Sequence, residues 1–235
     1  MKKKLLTIAL ALVIIITGAI AAKIYLDNKR EAEEDAAAEE TVLDLKSDLL
    51  DFAKLRKKNP DIVAWLTVDG TVIDYPIVQS EDNEYYLTRD AKKQSNRNGA
   101  LFLDYRSNAD FSDYSSVIYG HHMASGLMFQ NLAKYRNSGF FSENTTGKLY
   151  TPEKNFDLEI FAVTLTNARS DYYKYAFLSL AEEQAQLKMI KATSMHYRDP
   201  GAVDRMLVLS TCSFEYKEAR VVLVCKIVDK TGVPA

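Results

Sequence analysis

Two cysteines and three histidines are all that this 235-residue chain offers of the residues that usually build disulfide frameworks and metal centres. Cys212 and Cys225 allow at most one bridge, which excludes a disulfide-stapled scaffold. The paired His121-His122 could ligate a metal, but no third ligand stands out at recognisable metal spacing. The 30 basic and 32 acidic residues nearly cancel, so no excess of either sign is present. The net charge of −2 offers no basic field, and nucleic acid is not an expected partner. There is no internal repeat, and low complexity is confined to one acidic segment. With an apolar N-terminus set aside, about 195 residues remain, enough for one domain with a real core and too few for two comfortable ones.

What is present is unevenly placed. Lys2, Lys3 and Lys4 precede an uncharged apolar run from Leu5 to Ala22, which Ile24-Tyr25-Leu26 extends past Lys23. At about 1.5 Å per helical residue this run just spans a hydrocarbon core of roughly 30 Å. The basic flank is expected to stay in the cytoplasm and the body of the chain to lie outside. A cleaved signal peptide, with Ala19-Ile20-Ala21 as its cleavage site, is the rival reading, and both export the domain. The expected organisation is a cytoplasmic tail at 1–4, a transmembrane anchor at 5–26, an acidic stalk at 27–40 and one folded domain at 41–235. The stalk, EAEEDAAAEE from Glu31 to Glu40, suits a solvated helix or flexible spacer.

Beyond the stalk, Thr41 reads as a helix N-cap, with Val42, Leu45, Leu49 and Phe52 on one apolar face and Asn59-Pro60 as the stop. Strand patterns follow at 62–68, 71–78, 100–105, 116–119, 148–151, 156–166, 205–211 and 220–228. Asp69-Gly70 marks a hairpin, and Pro76 fits a sheet edge or bulge. A short helix is expected at 127–135. A longer one is expected at 178–197, with Ala181, Ala185 and Met189 along one face. About eight short strands with few helices make a closed or nearly closed β-barrel the natural architecture.

The chemistry concentrates near the C-terminus. Cys212 ends a strand beside Ser210, Thr211 and Ser213, and Arg220 opens the next. In a simple hairpin centred near Tyr216 the two lie opposite each other, with Cβ atoms roughly 5 Å apart. A guanidinium there favours the thiolate and can hold an oxyanion. The same register sets Cys225 opposite Leu207, five residues from Cys212 along the strand. That is about 16 Å, too far for a disulfide. Cys212 is therefore expected to be a free thiol and Cys225 a packed strand residue. A thiol nucleophile needs an acid–base partner. Gly120-His121-His122 ends a buried strand, where a barrel presents side chains at its rim, and only one of two adjacent residues is expected to face the site. His196 is expected at the polar end of the long helix, facing solvent.

Leu209-Ser210-Thr211-Cys212 with Arg220 downstream, and Tyr119-Gly120-His121-His122 upstream, resemble the signature of the sortases. The resemblance extends through Asn59-Pro60-Asp61-Ile62-Val63-Ala64-Trp65, Ile73–Gln79 and Asp82–Leu87, and covers roughly residues 41–230. It is nearest to class B, which carries a helix ahead of the barrel and a long helix between the sixth and seventh strands. The resemblance implies an eight-stranded barrel in which Cys212 is the nucleophile and His121 the catalytic histidine. Arg220 would hold the substrate or oxyanion, and Ser210 would line the substrate groove. Ser213 stands where class B often carries an acid, so a role for that acid does not transfer. Tyr172 and Tyr173 are further groove candidates. The implied reaction is transpeptidation. A secreted protein bearing a C-terminal sorting motif is cleaved after threonine through a thioester and passed to a peptidoglycan precursor amine, without cofactor or metal. A secreted thiol protease using the same pair, and a non-catalytic wall-binding module tethered to the bilayer, are the alternatives.

Overall fold

The computed structural model describes residues 2–49, 51–212 and 218–229, with side chains described from residue 12 onward and not at Cys212. Nine strands follow one another along the chain: β1 (Ile62–Val68), β2 (Asp74–Val78), β3 (Leu101–Leu103), β4 (Ser115–Tyr119), β5 (Thr146–Tyr150), β6 (Asn155–Asn167), β7 (His196–Tyr197), β8 (Met206–Cys212) and β9 (Ala219–Asp229). Their order is β5-β1-β2-β3-β4-β8-β9-β6, and a β5–β6 pairing closes the ring into the expected eight-stranded barrel. Full closure leaves no long unpaired strand edge. The two-residue β7 is an addition outside the ring. It occupies the edge of β6 at Ala162 and Val163, beyond the reach of β5.

The strands read as near-continuous apolar runs because both faces are covered. Leu207 and Leu209 of β8, with Val221, Leu223 and Cys225 of β9, point into the barrel core. Met206 and Val208, with Val222 and Val224, form a second cluster outside it under α4 (Leu180–Thr193). A third cluster joins Trp65, Val78 and Phe102 to Leu45, Phe52 and Leu55 of the N-terminal helices.

Those helices differ from expectation in their joints. α1 runs unbroken from Lys2 to Lys46, through Thr41, and α2 (Phe52–Lys58) follows after a break. Thr41 is not a cap. It is buried in mid-helix, and its hydroxyl donates to Asp90. The cap is Asp51, whose carboxylate accepts from the Lys54 N–H. The apolar face of Val42, Leu45, Leu49 and Phe52 packs as expected, and Asn59 ends α2. The acidic segment is helical and docks on the barrel: Arg97 pairs with Glu31, Glu34 and Asp35, and Asn98 donates to Asp35. Residues 5–11 of the candidate anchor lie outside those with described side chains. Among the described residues no helix is long and apolar enough to cross a membrane.

α4 is shorter than the expected 178–197 and buries a different face. Ser179 caps it, and Gln186 and Ile190 point inward while Ala181 and Ala185 are exposed. Periodicity among alanines misled here because Gln186, a polar residue, takes the buried place by donating to the Asp171 carbonyl (2.9 Å). His196 is not at a helix end facing solvent. It lies in β7, half-buried against Phe141, with Nε2 bonded to the Arg136 carbonyl (2.9 Å).

Candidate active site

The site is built by two strand registers. β4 and β8 run parallel with Tyr119 level with Ser210, and the Gly120 N–H donates to the Ser210 carbonyl (3.1 Å). The paired register of β4 ends there, and His121 follows one residue beyond Gly120 as the chain leaves the strand. β8 and β9 run antiparallel, with Cys212 opposite Arg220 and Leu207 opposite Cys225, the two pairs expected from the hairpin. Neighbouring strands lie about 4.8 Å apart, so the Cys212 backbone stands beside Arg220. Cys225 is fully buried in the barrel core, and burial pushes its thiol well above the ordinary range. It packs as a small hydrophobe.

His121, Ser210, Thr211 and Arg220 line one groove of about 200 Å³, walled by Leu87, Phe102, Tyr119 and Tyr173. Ser210, Thr211 and Arg220 come from the paired ends of β8 and β9, and Asn83 adds a further polar group. His122 is not among the lining residues; its backbone bridges to Met128. Of the two tyrosine candidates, Tyr173 reaches the groove and shares a hydrogen bond with Ser210 Oγ (2.8 Å). Tyr172 is buried under α4 and bonded to Thr193. The side chain of Cys212, and Ser213 altogether, lie outside the described residues.

His121 is held from two directions. The Phe129 N–H donates to its carbonyl (3.0 Å), and its ring Nε2 lies 2.8 Å from the Leu87 carbonyl oxygen. A carbonyl can only accept, so Nε2 carries the proton in this hydrogen bond. Arg220 is half-buried and anchors one guanidinium N–H on the Ala219 carbonyl (2.9 Å), which fixes the direction of the rest of the fork.

Two glycines set this arrangement. At Gly120 a Cβ would meet Leu101 at 2.3 Å and Phe129 at 2.8 Å, so only glycine lets the strand leave the barrel there. Gly99 has φ +61°, and a Cβ would stand 2.5 Å from the Tyr86 carbonyl and 2.9 Å from that of Leu87. The second is the oxygen that orients His121. Gly99→Ala is therefore expected to move Leu87 as well as strain the turn. The left-handed backbone alone costs about 1–2 kcal/mol, a fall in Tm of roughly 2–8 °C for a domain of this size. Activity measured well below the midpoint should fall too, since the imidazole loses its fixed partner. An unchanged Tm and rate would mean that the turn relaxes freely.

Sequence reasoning assigned no role to Asp104. Its side chain is completely buried, and its carboxylate accepts both nitrogens of an Arg106 fork (2.8 and 2.7 Å), Asn83 (3.1 Å) and the Tyr119 hydroxyl (3.0 Å). Burial alone would raise its pKa, but the Arg106 hydrogen bonds prevail and hold it below the usual carboxylate range. Burial, and then the Asp104 charge, push the Tyr119 phenol far upward, so it stays a neutral donor. The signal was a charged residue closing the apolar Leu101–Leu103 strand.

Known proteins share this architecture. The sortase domain, as a family, matches residues 66–228. Sortase B of Listeria monocytogenes is 36% identical over 208 residues, covering 87% of this chain and 83% of the relative. The crystal structure of Clostridium perfringens sortase B superposes with a TM-score of 0.72 at 33% identity, covering 76% of this chain and all of the other. A Staphylococcus aureus sortase B–substrate complex superposes with a TM-score of 0.74 at 26% identity, over 86% and 98% of the two chains. With its barrel, its cysteine strand and these relatives in agreement, the chain belongs to the sortase family of cysteine transpeptidases and is most similar to class B.

Proposed function

We propose that this transpeptidase cleaves a C-terminal sorting motif of secreted proteins after threonine and joins the protein to a peptidoglycan precursor amine. The observation that carries the reading is the register that sets Cys212 opposite Arg220, on strands whose Ser210, Thr211 and Arg220 line one groove with His121. The Cys212 thiolate attacks the threonine carbonyl, and Arg220 steadies the oxyanion. The C–N bond breaks as His121 gives its proton to the departing amine, leaving a thioester. The acceptor amine then attacks and loses its proton to His121. The C–S bond breaks and the thiolate returns. Ser210 lines the groove that holds the motif. The relative crystallised with a substrate supports a peptide-binding role for the equivalent groove.

The place of action is the outer face of a cell membrane, with residues 5–26 as a single-pass anchor and the N-terminus inside. Leu12, Ile16, Ile20 and Leu26 are each more than half exposed on α1, an apolar surface suited to lipid. Protease added to intact protoplasts should digest the catalytic domain; a protected domain would sink this topology.

The test is the full-length protein incubated with a small library of threonine-containing sorting-motif peptides, with and without an amine acceptor. A peptide–amine product is expected. Cleavage to the free acid alone, with acceptor present, would point to a thiol hydrolase, and no cleavage to a binding module. Arg220→Lys separates geometry from charge. Lysine lacks the planar fork, so kcat/KM is expected to fall about 10²-fold or more, as when an oxyanion donor is lost. Tm should hold, because the residue sits at the barrel rim. Wild-type cleavage by Arg220→Lys would reduce Arg220 to a point charge or to nothing.

A further inference from the structure

Arg106 faces two ways. Its guanidinium forks onto the buried Asp104 carboxylate, and its plane lies over the Tyr175 ring, 4.1 Å from the centroid. Tyr175 belongs to the segment between β6 and α4, residues 168–179, which also supplies Ala168 and Tyr173 to the groove. Asp104 is tied to the same wall from behind. It accepts from Tyr119, whose ring stacks on Tyr173 (6.0 Å, 27°), and Tyr173 in turn bonds Ser210. Gln79 fixes the backbone beneath by donating to the carbonyls of Asp104 and Ser107. We propose that Arg106 is a positioning residue, a latch that holds the 168–179 segment against the groove so that Tyr173 and Ser210 are set for the peptide.

The segment has several moorings: Tyr172 is buried under α4, Tyr173 bonds Ser210, Lys174 pairs with Glu182, and Phe177 packs edge-on against Tyr114. Tyr175 itself is 43% exposed, so its ring is seated by the guanidinium face and not by burial in the core. Losing that contact loosens the stretch beside Tyr173 without unfolding the barrel. Binding of the peptide suffers, because a loose wall must be ordered again each time. The chemistry at Cys212, on separate strands, does not.

This inference rests on the groove being the peptide site, and the experiment separates the two. Arg106→Ala strips a buried carboxylate of its partner and endangers the fold, so Tyr175→Ala is the deciding variant and Tyr175→Phe, which keeps the ring face, is the rescue. An exposed cation–π contact is worth about a two- to fivefold change in an equilibrium. In Tyr175→Ala, amide hydrogen exchange around Tyr175 should quicken about two- to fivefold while the barrel strands are unchanged, and peptide KM should rise by a similar factor with kcat unchanged. Tyr175→Phe should match wild type in both. Exchange that does not quicken in Tyr175→Ala overturns the latch. Quickened exchange with unchanged KM overturns its role in binding. If the wild type cleaves none of the peptides, the functional reading fails, and the exchange comparison still decides whether Arg106 holds the segment.

Discussion

Cys212→Ala should leave no turnover and no covalent acyl intermediate, the largest effect expected of any substitution in this chain. The attacking atom must be a polarisable nucleophile beside Arg220 of the groove, and β8 and β9 bring one cysteine there. The other, Cys225, is sealed in the barrel core with its thiol pushed upward, so it cannot take over. Ser210 is engaged with Tyr173, and an alkyl alcohol is a weak nucleophile unless a base activates it. Peptide cleavage and intact mass after mixing read the two losses directly. A thiol-specific alkylator should add once to the folded wild type and a second time only after unfolding. Residual cleavage by Cys212→Ala, or a Cys212–Cys225 disulfide in active protein, would contradict the assignment.

His121→Ala should rank second, with a loss of about 10²–10⁴ in kcat, because a positioned acid–base group contributes that much. Both half-reactions should slow, since the same imidazole serves each. His122→Ala should stay within a few-fold of wild type. The contrast follows from placement: His121 lines the groove and is oriented by the Leu87 carbonyl, whereas His122 is not among its lining residues and its backbone bridges to Met128. Single-turnover cleavage beside Tm for both variants reads it out. Were His122→Ala the inactive one, the strand would leave the barrel one residue out of phase with the register drawn from Tyr119 and Ser210.

Much of this was legible from local pattern. Period-two and continuous apolar runs marked each of the eight barrel strands to within a few residues, and Asn59-Pro60 marked the end of α2. The hairpin arithmetic placed Cys212 opposite Arg220 and Cys225 opposite Leu207, because residues paired across a hairpin depend only on the turn's centre. Local pattern failed where a long-range partner outweighed it. Thr41 has the look of a cap but is claimed by Asp90, forty-nine residues on. Gln186 looks solvent-facing but is claimed by the Asp171 carbonyl. His196 looks like a helix end but adds an edge to β6.

Residue order alone carried the chemistry available: one cysteine near a strand end, one arginine eight residues on, a glycine–histidine pair and an apolar N-terminal run. Those are facts of residue type and short separation, and the covalent chain alone enforces them. Only the tertiary structure decided the groove that holds His121, because His121 and Ser210 are far apart in sequence and share a wall through the parallel register of β4 and β8. It likewise decided that the buried Asp104, with Arg106 and Tyr175, braces the groove. A buried carboxylate is tolerable only where several donors converge, and these come from Asn83, Arg106 and Tyr119, brought together by barrel closure.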